Sequence, residues 1–192
     1  MSRSVLISIQ PEWCKLIANG TKTLEVRKSR PKFEAPFKVY IYCTKGKKKL
    51  LDVMFDGDEF HGETYHGDPV FIKGFPENFR TKTYELGNGK IIGEFICDKI
   101  YTYTTCLAFQ SYNDISTEEI EKKSCLSEIK LFKYECPKLS NNVELYANVG
   151  LFAWNISDLV IYDTPKELSE FGKTKPPQSW CYTENGDTYE KT

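Results

Sequence analysis

Apolar positions near the start of the chain follow a sequence of periods. Ser4-Val5-Leu6-Ile7-Ser8-Ile9 is β-branched and apolar with no breaker, and predicts a mostly buried strand. Pro11 fits the first position of a helix, where its missing N–H costs nothing. Trp13, Leu16 and Ile17 stand at i, i+3, i+4 and give that helix an apolar face. Asn19-Gly20 stops it, with Gly20 free to take positive φ. Leu24 and Val26 then alternate with Thr23, Glu25 and Arg27. Leu24 and Val26 therefore face the core, and Glu25 and Arg27 share the opposite face. Strict alternation would put Lys22 on the Leu24 side. Lys22 meets Glu25 if it still belongs to the turn, which the nearness of Gly20 favours, or if the strand is bulged.

Further along, Phe37, Val39, Ile41 and Cys43 alternate with Lys38, Tyr40 and Tyr42, a strand with one core face. Residues 50–90 are the least regular part, with turn chemistry at Asp56-Gly57-Asp58 and His66-Gly67-Asp68-Pro69. Residues 90–103 form a long β-run, broken or bulged at Gly93. Ser116-Thr117-Glu118-Glu119 is a capping box before a helix of about two turns. Leu126, Ile129 and Phe132 or Lys133 predict another helical stretch. Residues 149–162 read as β and would close the sheet. Pro165 begins a short helix with Leu168 and Phe171, ended by Gly172.

At 192 residues the chain fits a single domain over 1–192, with an irregular insertion at about 50–90 and a C-terminal extension at about 165–192. Apolar residues make up 40%, enough for a core. No run approaches a membrane-spanning length, and the first apolar run is interrupted by Pro11 and Glu12. Seven cysteines, none spaced Cys-x-x-Cys, read as reduced thiols of a cytoplasmic protein, with no zinc site. Net charge is −1, which argues against bulk non-specific nucleic-acid binding. The charge is uneven: residues 1–50 carry 12 Lys and Arg against 3 Glu, a balance of +9, so the rest carries −10. Such asymmetry marks either an acid-binding face or two halves that match each other.

The densest ionisable chemistry is Lys22, Glu25 and Arg27. Arg27 and Lys28 suit phosphate, the first as a fork and the second as a point charge. Glu25 suits a base edge or a general base, and Lys22 a developing anion. The plain alternative is a surface salt-bridge set worth under about 1 kcal/mol. Tyr42 and Trp180 are candidates to stack a base, with Lys45 as a further cation; Trp154 reads as core. His61 and His66 sit in an acidic stretch whose spacing matches neither a calcium loop nor a zinc helix, so no metal and no cofactor is expected. No Gly-rich phosphate loop or Gly-x-Ser-x-Gly elbow is present.

Ser8-Ile9-Gln10-Pro11-Glu12-Trp13, followed by residues 18–28, Ala-Asn-Gly-Thr-Lys-Thr-Leu-Glu-Val-Arg-Lys, resembles the opening motif of the ASCH domain in the PUA-like superfamily. Segments 93–98, 154–159 and 176–182 are similar to bacterial and phage-encoded members. The resemblance implies an α+β fold, a PUA-like β-barrel with flanking helices, and a cleft lined by the Gly-x-Lys-x-x-Glu-x-Arg residues. It implies an RNA or nucleotide-like partner and, for some members, a hydrolase that cleaves RNA or deacylates N4-acylated cytidine. The chain departs from the family at Gln10, often lysine, and at Asn155, often histidine. Glu25 stands where the deacylating members carry threonine.

Three function classes follow. The first is a binding module for RNA or a modified nucleotide, using Lys22, Glu25, Arg27, Lys28, Tyr42, Lys45 and Trp180. The second is a hydrolase using Lys22 and Glu25, both expected on an exposed turn and strand face. The third is a protein-interaction adaptor. Asn155 and Glu25 favour the first. Trp180 and Tyr182 are too costly to leave in water, so the tail is expected to fold back with Trp180 near the cleft.

Overall fold

The computed structural model describes residues 4–45, 49–56, 59–66, 87–136 and 150–183, with the backbone alone described over 49–66. Along the chain these residues form β1 (Ser4–Ile9), α1 (Pro11–Ala18), β2 (Leu24–Arg27), β3 (Phe37–Cys43), β4 (Lys49–Asp56), β5 (Glu59–His66), β6 (Ile91–Cys97), β7 (Ile100–Tyr103), α2 (Thr117–Ser124), α3 (Glu128–Glu135), β8 (Leu151–Asn155), β9 (Ser157–Lys166) and β10 (Trp180–Thr183). Two short 3-10 helices, Leu107–Tyr112 and Leu168–Phe171, complete them. The strands make a five-stranded sheet in the order β10-β1-β3-β6-β9, a three-stranded sheet β2-β8-β7 and a hairpin β4-β5. The class is α+β. Among the described residues each sheet has two edges, and none closes into a barrel.

Two compact units can be described separately. One comprises Met1–Asn19, Lys38–Phe95 and Asp158–Thr192; the other comprises Gly20–Phe37 and Ile96–Ser157. In the first, β1 pairs in parallel with β3 and antiparallel with β10. Every residue of β3 is buried, not one face alone. The reason lies in what covers the second face: Leu168 and Phe171 of the 3-10 helix pack there with Leu6, Tyr40, Tyr42 and Ile91. Tyr40 meets the Phe171 ring edge-on at 4.8 Å. Pro165, expected to start that helix, still belongs to β9. α1 forms as expected, but its buried positions are Pro11, Cys14 and Ile17, with Trp13 and Leu16 half-buried.

The expected break at Gly93 falls instead at Asp98-Lys99, between β6 and β7. Gly93 has another cause. A Cβ there would lie 2.3 Å from the Val160 carbonyl oxygen of β9, so the close approach of the two strands requires glycine. The stretch expected to be least regular contains the β4-β5 hairpin, with His61 opposite Met54 and His66 opposite Lys49. The side chains of both histidines lie outside the described residues.

In the second unit β8 pairs antiparallel with β2 and β7. One face of this sheet, carrying Leu24, Val26, Tyr103, Leu151 and Ala153, packs on Ile115, Ile120 of α2 and Leu131 of α3. Burial of each such aliphatic side chain contributes about 1.5–3 kcal/mol. The Ser116 hydroxyl accepts the Glu119 N–H at 3.2 Å, the expected cap of α2. In α3 the expected face is wrong: Leu131 and Glu135 are buried, and Ile129 is 67% exposed. A carboxylate holds the second core position because it is fully served. Glu135 accepts from the Thr104 hydroxyl at 2.7 Å and from the Thr105 N–H at 2.8 Å and hydroxyl at 2.5 Å. The single β-run expected at 149–162 is divided, β8 joining one sheet and β9 the other.

Among the described residues no helix is long and apolar enough to cross a membrane. All seven cysteines are free thiols, of which Cys14, Cys43 and Cys97 are buried. Burial, reinforced by the neighbouring Asp98, pushes the Cys97 thiol up to about 12.

Candidate functional site

The site begins where α1 ends. Gly20 takes φ +77°, a conformation that suits glycine, and turns the chain toward β2. Lys22 lies in this turn, two residues before the strand, so its side chain escapes the strand alternation. It folds back until its Nζ donates to the Leu24 carbonyl at 2.7 Å and to the Ser124 carbonyl at 2.7 Å. Ser124 is the last residue of α2, so the ammonium sits against carbonyls at a helix C-terminus, where positive charge is favoured. The same Nζ is 3.4 Å from Glu25 Oε2. Glu25 Oε1 in turn lies 2.9 Å from Arg27 Nη2. Alternation along β2 puts these last two side chains on one face, as expected.

The exposure of the trio differs from expectation. Lys22 is 2% exposed and Glu25 7%, so the pair is buried rather than set on an open turn and strand face. The three N–H directions of the ammonium meet three acceptors, two of them backbone carbonyls. Through that arrangement Lys22 ties β2 to α2, and the Glu25 carboxylate is held between Lys22 and Arg27. Arg27, half-buried, is the member nearest to solvent. Beside them, Trp154 stands opposite Glu25 in the β2-β8 register and is fully buried. Its ring packs edge-on against Phe37 at 5.6 Å, the core role expected of it.

The other expected site residues are distributed. Lys28 is exposed, with its ammonium 5.2 Å from the centre of the Tyr134 ring. Tyr42, Lys45 and Trp180 belong to the other compact unit. Tyr42 is buried on β3, and burial, with smaller contributions from Cys43 and Glu167, raises its phenol above the usual range. Lys45 is exposed. Trp180 is half-buried on β10 and meets Tyr182 edge-on at 5.4 Å. Asn155, at the position where the family often carries histidine, donates from Nδ2 to Asp98 at 2.8 Å. Gln10 is exposed.

Sequence reasoning missed a second buried ion pair. Lys38 of β3, 6% exposed, lies 3.0 Å from Glu94 of β6, which also accepts the Tyr162 hydroxyl of β9. Lys38 looked like an outward residue of an alternating strand, and only a covered second face makes it a buried one. Among the described residues no cluster of three or more His, Cys, Asp or Glu could hold a metal ion.

Solved structures show the same fold. The ASCH protein of Zymomonas mobilis is 17% identical, with 93% of this chain and 86% of that chain covered at a TM-score of 0.53. A point variant of that protein is 16% identical, with 93% and 88% covered at a TM-score of 0.53. No curated protein sequence matches the chain significantly. The ASCH domain family model matches residues 7–135, a stretch that begins in β1, contains Lys22, Glu25 and Arg27, and ends with α3; the chain belongs to the ASCH domain family.

Proposed function

We infer that the chain binds RNA or a nucleotide-like ligand, with Lys22, Glu25 and Arg27 as the centre of the site and a PUA-like arrangement of its strands as the scaffold. The observation that carries this reading is the motif itself. Within an ASCH family match, the Gly-x-Lys-x-x-Glu-x-Arg spacing brings the three charged side chains within 3.4 and 2.9 Å of one another. Arg27 presents a guanidinium fork suited to a phosphate, and Glu25 orients that fork. Lys22 fixes Glu25. Lys28, exposed in the same compact unit, supplies further positive charge.

The test is fluorescence anisotropy with a labelled single-stranded RNA. Binding is expected to be weak and to fall steeply with salt, because released counterions drive it. Arg27→Ala should lessen the salt slope by up to about one unit. Equal affinity at low and high salt, or none at low salt, overturns the reading.

One observation favours a hydrolase as the second reading: the Lys22 ammonium and Glu25 carboxylate converge at 3.4 Å. Such a pair could orient a water against RNA or an N4-acylated cytidine. The two carbonyls that also hold Lys22 weigh against it, since proton transfer would have to release them. Turnover of either substrate that disappears in Glu25→Gln would establish this reading; turnover that persists would remove Glu25 from the mechanism.

A further inference from the structure

The burial of Lys22 and Glu25 leaves open which side chains a nucleic acid would touch first. The outer face of α3 answers with residues that the family motif does not contain. Lys130, Lys133 and Tyr134 stand at i, i+3 and i+4, so they share one face of the helix, and all three are exposed. Leu131 and Glu135 occupy the opposite, buried face. Lys28, one residue after β2 ends, places its ammonium 5.2 Å from the centre of the Tyr134 ring. One cation therefore rests over an exposed aromatic ring, and two more lysines share the helix face that carries it. Glu135, the acid next to Tyr134 in the chain, is buried with its carboxylate held by Thr104 and Thr105.

We propose that this face of α3, with Lys28, is a contact surface for single-stranded RNA, on which Tyr134 stacks a base and Lys28, Lys130 and Lys133 hold the flanking phosphates. The inference rests on the RNA-binding reading above and assigns its first contacts. Charge complementarity selects the occupant. A polyanion with exposed bases satisfies both the ammonium groups and the ring, whereas an apolar protein surface would strand three ammonium groups. Double-stranded RNA fits less well, because its bases are stacked on each other and not available to Tyr134. Lys28 already rests over the ring by cation–π attraction, so a base that takes the ring displaces the ammonium toward the adjoining phosphate.

The experiment titrates the full chain with a fluorescein-labelled ten-nucleotide oligouridylate across a salt series. Tyr134→Ala should weaken binding about 5- to 100-fold, and Tyr134→Phe should restore it, because stacking needs the ring and not the hydroxyl. Lys28→Ala, Lys130→Ala and Lys133→Ala should each lower the salt slope by about 0.7, the value for one phosphate contact on a single strand. Lys15→Ala, an exposed lysine on α1, is the control and should change neither. If the wild-type chain binds with a salt slope and all four α3-face variants match it, this inference fails and the RNA-binding reading stands. It fails in the same way if Tyr134→Phe is as weak as Tyr134→Ala. If the wild-type chain does not bind at low salt, both fail together.

Discussion

Each compact unit contains a buried lysine paired with a glutamate, and the two pairs are built differently. Lys22 and Glu25 come from one turn and the strand that follows it, and the ammonium is also held by carbonyls of Leu24 and Ser124. Lys38 and Glu94 come from neighbouring strands, and the Tyr162 hydroxyl donates to the carboxylate. Glu25 is enclosed and shared with Arg27, whereas the Glu94 side chain is 21% exposed. The difference decides what happens when a lysine is lost. An enclosed carboxylate that loses one of its two cations cannot replace it with water, while a partly exposed one can be rehydrated. Buried ion pairs add little net stability against an apolar replacement, yet breaking one side is costly. The Lys22 pair is thus a knot between β2 and α2, and the Lys38 pair is a removable contact within a sheet.

The largest effect should come from Lys22→Met. It takes the ammonium from two carbonyls and leaves the buried Glu25 only Arg27, and should cost about 3–5 kcal/mol in urea unfolding. Lys22→Arg should not rescue it, because a planar fork cannot aim at the three acceptors that the compact ammonium meets. Lys38→Met should cost about 1–3 kcal/mol, since Glu94 keeps the Tyr162 hydroxyl and some solvent. Equal losses from the two methionine variants would abolish the distinction. The sharper version removes both partners. Lys38→Met with Glu94→Leu should lie within about 1–2 kcal/mol of wild type, as apolar replacements of whole pairs often do. Lys22→Met with Glu25→Leu should remain well below it, because Arg27 and both carbonyls still lose partners. The smallest effect is an exposed reference. Lys123 and Glu119, at i and i+4 on α2, lie 2.6 Å apart, and Lys123→Ala should cost only about 0.3–0.5 kcal/mol.

The legible parts of the sequence were the local ones. β1, α1, Gly20 and β2 follow from the order of apolar residues and breakers within 27 positions, and the shared face of Glu25 and Arg27 from alternation alone. The capping serine of α2 was readable for the same reason. The burial of Lys22 was not, because its Ser124 partner lies 102 residues away along the chain. The burial of Lys38 was not readable either, because its Glu94 partner lies on another strand far along the chain and alternation assigned its face to solvent. In α3 the reading failed at Glu135, since a carboxylate at a core position is indistinguishable by period from an exposed one. The strands over 49–56 and 59–66 were not readable because their apolar and polar residues keep no clean alternation, although the turn chemistry expected at Asp56-Gly57-Asp58 falls between them. The convergence of Lys22, Glu25 and Arg27 was therefore visible in advance, but not the enclosure that limits what the three can do.

The pairing of β10 with β1 bears on how the chain is made. Ser4 lies opposite Thr183, so the outer flank of the first strand stays unpaired on the ribosome until residues 180–183 have emerged. During that interval the Ser4–Ile7 flank is an apolar strand edge able to recruit any neighbouring nascent chain. Translation that stalls before Trp180 would leave the flank open, and ribosome-bound chains of that length should associate with holdase chaperones until β10 arrives.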